Sequence, residues 1–254
     1  MIIFLSIVFL IYFLINFYIF IRGWQAISSI PSYKPFYIIL FVLISLSFIA
    51  GRFLEKIWLS KVSEIVVWIG SFWLAAMLYF FLIILFLDLL RLINGAINFF
   101  PSFATFNYEK TKLYIFIISL ISVALLLSAG YFNSLNPRIN TLELKVSKQT
   151  DGLKELNIVM LSDIHLGTII TGDRFEKIVT KVNSLNPEIV LLAGDVVDED
   201  IAPVIRNNIG ETLRKISAKY GVYAVTGNHE YIGGVSQLSR NPRHHQRGNL
   251  RMYL

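Results

Sequence analysis

Three short blocks carry the residues best suited to hold a cation: SDIHLG at 162–167, GDVVD at 194–198 and GNHE at 227–230. Asp163 and His165 are separated by one residue, so in an extended segment both side chains leave the same face and can grip one ion. Asp195, in the next block, can reach the same space. Carboxylate and imidazole together suit Mn, Fe, Zn or Ni rather than calcium, which takes oxygen ligands. Taken singly, each block has an ordinary explanation: Asp-x-His as a loop pair, Gly-Asp as a turn, Asn-His as a helix cap. Their order and even spacing, 32 residues from Asp163 to Asp195 and 33 from Asp195 to Asn228, favour one shared site.

The elements that must position these residues are legible around them. Each block ends a short apolar run, in LNIVMLSD, PEIVLLAGD and GVYAVTGNH. Between the first two lies DRFEKIVTKVNSLN, with Phe175, Ile178, Val179, Val182 and Leu185 at helical spacing. Between the second and third, IRNNIGETLRKISAKYG repeats the pattern with Ile205, Ile209, Leu213 and Ile216, and Gly221 is a helix stop. The order is βαβαβ. Apolar strands alternating with amphipathic helices predict a mostly parallel sheet covered on both faces, with polar groups gathered at the carboxyl ends of its strands.

The three blocks resemble the D-x-H, G-D-x-x-D and G-N-H-E/D signatures of the calcineurin-like metallophosphoesterase superfamily, over residues 150–235. LSDIHLG and LLAGDVVD after a membrane segment are most similar to its bacterial membrane-associated branch. The resemblance implies an α/β domain that is the βαβαβ half of a four-layer α/β/β/α sandwich, and two-metal hydrolysis of a phosphoester or diphosphate. It implies that Asp163 and His165 hold the first of two divalent ions (Mn, Fe, Zn or similar), that Asp195 bridges both, and that Asn228 binds the second through its amide oxygen. It also implies that His229 faces the substrate and stabilises or protonates the leaving oxygen, with Asp198 orienting it.

The family pattern continues with an isolated His and then G-H-x-H, and neither is recognisable here. The last segment, SQLSRNPRHHQRGNLRMYL (236–254), holds His244, His245 and four Arg, without acid and without strand or helix period. It reads as an aberrant basic tail rather than as a source of substitute ligands, since adjacent histidines in a strand face opposite ways. The expectation is a truncated, inactive catalytic domain whose sheet lacks cover on one face. The alternative is a non-catalytic membrane binding or structural protein carrying a remnant phosphoesterase domain.

Composition places this domain behind a membrane region. The 254-residue chain is 55% hydrophobic and 16% charged, against about 25% charged residues in ordinary soluble domains. Uncharged runs predict four transmembrane helices within residues 1–132, at about 2–21, 35–51, 65–87 and 113–132. The first is too long, and lacks the basic leader, for a cleaved signal peptide. Lys and Arg divide almost evenly between the two sets of flanks, so they assign no orientation. Residues 133–150 read as a linker and a first strand, TLELKVSKQ, leading into the domain at 151–235. The net charge of +6 is scattered around membrane ends and the tail, which excludes a nucleic-acid partner. The partners expected are membrane lipids and a phosphorylated substrate, lipid-linked by virtue of the membrane attachment. The lack of cysteine is neutral about redox compartment.

Overall fold

The computed structural model describes all residues except 1, 102–105, 148–151, 153, 199, 234–249 and 254. His244 and His245 lie outside the described residues. The chain divides into two compact units, Met1–Asn136 and Pro137–Leu254.

The first unit contains four long apolar helices: α1 (Ile2–Ala26), α2 (Lys34–Ile57), α3 (Lys61–Ile97) and α4 (Tyr108–Ser134). Each is long and apolar enough to cross a membrane, as the uncharged runs predict. Ser60 and Ser63 form a reciprocal capping box at the start of α3, and Asn98, at φ 48°, ends it. Small residues let α2 and α3 approach closely. A Cβ on Gly70 would lie 2.4 Å from the Phe48 Cα, and one on Gly51 2.9 Å from the Val67 backbone nitrogen. Ile19, Trp73, Ala76, Met77 and Val123 form the buried centre. There Asn16 satisfies its amide by accepting from Trp73 Nε1 at 3.0 Å and donating to the Tyr12 carbonyl at 2.8 Å. The outward residues are large and apolar, Phe4, Leu43, Leu82 and Leu125 among them, as a lipid solvent requires.

The second unit is a parallel sheet of β1 (Ile158–Leu161), β2 (Ile189–Ala193), β3 (Val222–Val225) and β4 (Leu250–Tyr253), in that spatial order. Val159 pairs with Val190, and Val190 with Val222, so one face aligns Val159, Val190 and Val222. Helix α5 (Gly172–Ser184) lays Phe175, Val179 and Val182 over that face, and Val190, Leu192, Ile209 and Leu166 complete a dry core. Parallel pairing requires crossovers, and α5 supplies the first of them.

Four sequence expectations change. The segment IRNNIGETLRKISAKYG forms two short helices, α6 (Ala202–Arg206) and α7 (Ile209–Arg214). Asn208 sits between them in left-handed conformation, φ 51°, which stops a helix; Ile205 is left exposed while Ile209 is fully buried. The alternating Leu142, Leu144 and Val146 are exposed and make no strand over 141–147, because a strand needs a ladder partner and none of the described residues supplies one. Among the described residues helices cover one sheet face rather than the two that the apolar strands predict, in keeping with the face expected to lack cover, leaving Ile158, Met160 and Val225 about half exposed or more. Finally, the tail is not wholly without a strand: Leu250–Tyr253 pairs with β3, Val222 opposite Leu250. Four residues are too few to display a period, and the edge of β3 offers unpaired backbone groups that recruit them.

Candidate metal centre

All three chemistry-bearing blocks leave the carboxyl ends of adjacent strands. After Leu161 the chain turns directly into the loop of Asp163 and His165. Both residues have positive φ, 54° and 50°, so they converge through a left-handed turn and not through the extended geometry expected of D-I-H. Asp195 has φ 50° and follows Gly194 at φ 84°. Left-handed backbone costs a non-glycine residue about 1–2 kcal/mol. Three such residues in one cluster mark a place where geometry is held against local preference, which is common at functional sites.

Backbone bonds between the two loops hold this geometry. The N–H of His165 donates to the Asp195 carbonyl at 3.0 Å, that of Leu166 to Val196 at 2.8 Å, and that of Asp198 back to Leu166 at 3.0 Å. Pairing thus continues past the strand ends and fixes the distance between the Asp163–His165 loop and the Asp195–Asp198 loop.

The third block is clamped to the second by a residue that the sequence reading left without a task. Glu230 is 8% exposed and accepts from three backbone N–H groups: Asp195 at 3.0 Å and Gly227 at 2.7 Å through Oε2, and Val197 at 2.9 Å through Oε1. The available signal was its place in the first turn of α8 (Asn228–Ile232), where a carboxylate reaches back to orphan amides. Gly227 permits the approach. A Cβ there would lie 2.2 Å from Asp195 Oδ1 and 2.6 Å from the Asp195 nitrogen. The Asp195 carboxylate in turn accepts the His229 N–H at 2.9 Å.

Two overlapping groups of ligand-type atoms result. In one, donor atoms of Asp163, His165 and Asp195 lie within 4.8 Å of one another; in the other, those of His165, Asp198 and His229 do. His165 belongs to both, and its ring meets that of His229 edge to face, centroids 4.4 Å apart. His229 Nδ1 lies 3.1 Å from Asp198 Oδ1. Asp195 is 9% exposed, Asp163 is exposed, and Asn228 is an exposed residue opening α8 beside His229. Two carboxylates and one imidazole close together fit a divalent ion of the Mn, Fe or Zn type, and their unlike burial leaves the Asp163 side open to solvent.

A family model described as calcineurin-like phosphoesterase matches residues 156–253. A zebrafish "transmembrane protein with metallophosphoesterase domain" is 34% identical over 116 residues, 45% of this chain and 26% of that protein. An uncharacterized metallophosphoesterase of Campylobacter jejuni is 34% identical over 134 residues, 52% of this chain and 34% of its own length. The bovine transmembrane counterpart is 34% identical over 122 residues, 48% of this chain and 26% of its own. The aligned chain therefore spans about a quarter to a third of these relatives. No solved structure matches the chain significantly.

Proposed function

We propose, from the match of residues 156–253 to the calcineurin-like phosphoesterase family model, that the protein is a multi-pass membrane hydrolase using divalent metal to cleave phosphoester or diphosphate bonds. The observation that carries this reading is the convergence of Asp163, His165 and Asp195 on one point at the ends of adjacent strands.

In this reading Asp163, His165 and Asp195 would hold one cation, and Asp195 with Asn228 would hold a second. When bound, such ions supply Lewis acidity that polarises a phosphoryl oxygen and acidifies water. Asp195 offsets the repulsion of two like charges. Its position is kept by the His229 amide on one oxygen and by Glu230 on its backbone. The Nδ1 contact of His229 with Asp198 fixes the ring and leaves Nε2 as the nitrogen for proton donation to a leaving oxygen. The attachment to four apolar helices supports a lipid-linked phosphate or diphosphate as substrate class.

Residues 1–254 alone are expected to show little or no turnover. The described residues offer the second cation only Asp195 and Asn228, and divalent sites with two protein ligands are weak. The test is purified protein assayed with Mn and a generic phosphodiester, alongside metal binding by calorimetry. Mn binding that requires Asp163, His165 and Asp195 supports the site. Binding unchanged when all three are replaced by Ala would remove it.

A further inference from the structure

The membrane unit contains a cavity of about 330 Å³ whose walls are apolar and aromatic, including Ile19, Tyr37, Phe41, Phe80, Ile84 and Phe116. Its other boundary is ionic: Arg22, Asp88, Arg91 and Lys112. These come from the end of α1, the late part of α3 and the start of α4, so they share one end of the helix set, with Lys34 at the start of α2. The cavity thus combines apolar walls with charged groups gathered at one end of the helix set.

The ionic groups are incompletely matched. Asp88 accepts from Arg22, from Arg91 at 3.0 Å and from the Tyr18 hydroxyl, so one carboxylate serves two guanidiniums. Lys112 pairs with Glu109 at 2.8 Å, and Lys34 lies over the Trp24 ring at 4.5 Å. The cavity is lined by three cations, Arg22, Arg91 and Lys112, and one acid, Asp88. Arg22 Nε is buried and has no hydrogen-bond partner among the described residues. A buried donor without an acceptor is unfavourable, and this one lies on a side chain that lines the cavity.

Water is a poor occupant of the remainder. At about 30 Å³ per molecule the space would take on the order of ten waters, nearly all against apolar walls. We propose that this cavity binds one anionic phospholipid, with an acyl chain between Phe41, Ile84 and Phe116 and the phosphodiester headgroup among Arg22, Arg91 and Lys112. The residues of this site all belong to the membrane unit.

Native mass spectrometry of the detergent-purified full chain, titrated with phosphatidylglycerol or phosphatidylcholine of identical acyl chains, tests this. One phosphatidylglycerol should be retained with about tenfold preference. Arg91→Gln should abolish the preference and Arg91→Lys should keep most of it. Ser119→Phe, which fills the cavity from a residue whose Oγ donates back to the Ile115 carbonyl of its own helix, should prevent retention of either lipid. Equal retention of the two lipids, or a preference that survives Arg91→Gln, would overturn the proposal. So would displacement of phosphatidylglycerol by millimolar inorganic phosphate, which would make this a phosphate site without a chain. Should Ser119→Phe not fold, as read by helix melting in circular dichroism, the Arg91 pair decides alone. Lipid retention is read without turnover, so its failure and that of the hydrolase reading are separable.

Discussion

At the scale of single residues, the candidate centre is organised around Asp195, whose side chain and backbone N–H are engaged by α8 and whose carbonyl is engaged by the His165 loop. Asp195→Asn should therefore abolish Mn binding, as calorimetry reads it, while leaving the thermal transition of the domain nearly in place. Retained Mn affinity would show that Asp195 is structural only. Glu230 makes the complementary case. Its carboxylate is enclosed by three backbone donors, and Glu230→Gln turns an NH₂ toward at least one of them, at a cost of about 1–3 kcal/mol. Denaturant midpoints measure that loss. Mn affinity should fall along with it because the Asp195 loop is released. Gly227→Ala should be worse for the site than for the fold, since the added carbon meets the Asp195 carboxylate and backbone nitrogen.

At the scale of elements, the stability of the second unit rests on one covered face of a parallel sheet. Ile209, fully buried where α7 begins, is a sensitive point: Ile209→Ala should cost about 2–5 kcal/mol in urea unfolding. Ile205→Ala, one turn earlier and exposed, should cost little, and equal costs would contradict the broken-helix geometry. Strand register has a separate control. The Asn157 N–H donates to Glu188 at 3.1 Å, and Lys219 Nζ lies 3.2 Å from the same carboxylate. These contacts, the Asn157 amide first, hold the Glu188 carboxyl below its ordinary value. A lowered carboxylate contributes stability above its unfolded-state value, and that contribution is lost as pH falls through the folded one. Hydrogen exchange at Asn157 should accelerate in that acid range, and Glu188→Gln should remove the pH dependence.

At the scale of the whole molecule, the two units answer to different solvents. Residues of the first unit expose large apolar side chains along four helices, which is stable only in lipid. The chain should stay in the membrane pellet after alkaline carbonate washing, and recovery in the supernatant would contradict four spans. The second unit exposes Ile158, Met160 and Val225 on its uncovered sheet face. Hydrophobic-dye binding to the isolated second unit would report that face if the unit folds alone.

The sequence by itself determined what repeats over a short window or recurs at fixed offsets. Helix length against bilayer thickness gave the four spans, apolar runs gave β1, β2 and β3, and the blocks at Asp163, Asp195 and Asn228 gave the candidate ligands. Tertiary structure decided what depends on residues distant in the chain. The left-handed turns at Asp163, His165 and Asp195 exist because loops about thirty residues apart bond to each other, and no local pattern encodes that. The break at Asn208, the unpaired run at 141–147 and the recruitment of Leu250–Tyr253 all turn on whether a partner is present. Glu230 is the clearest instance: a charged residue in a helix's first turn is unremarkable in sequence, and only the fold brings Asp195 and Val197 to its carboxylate.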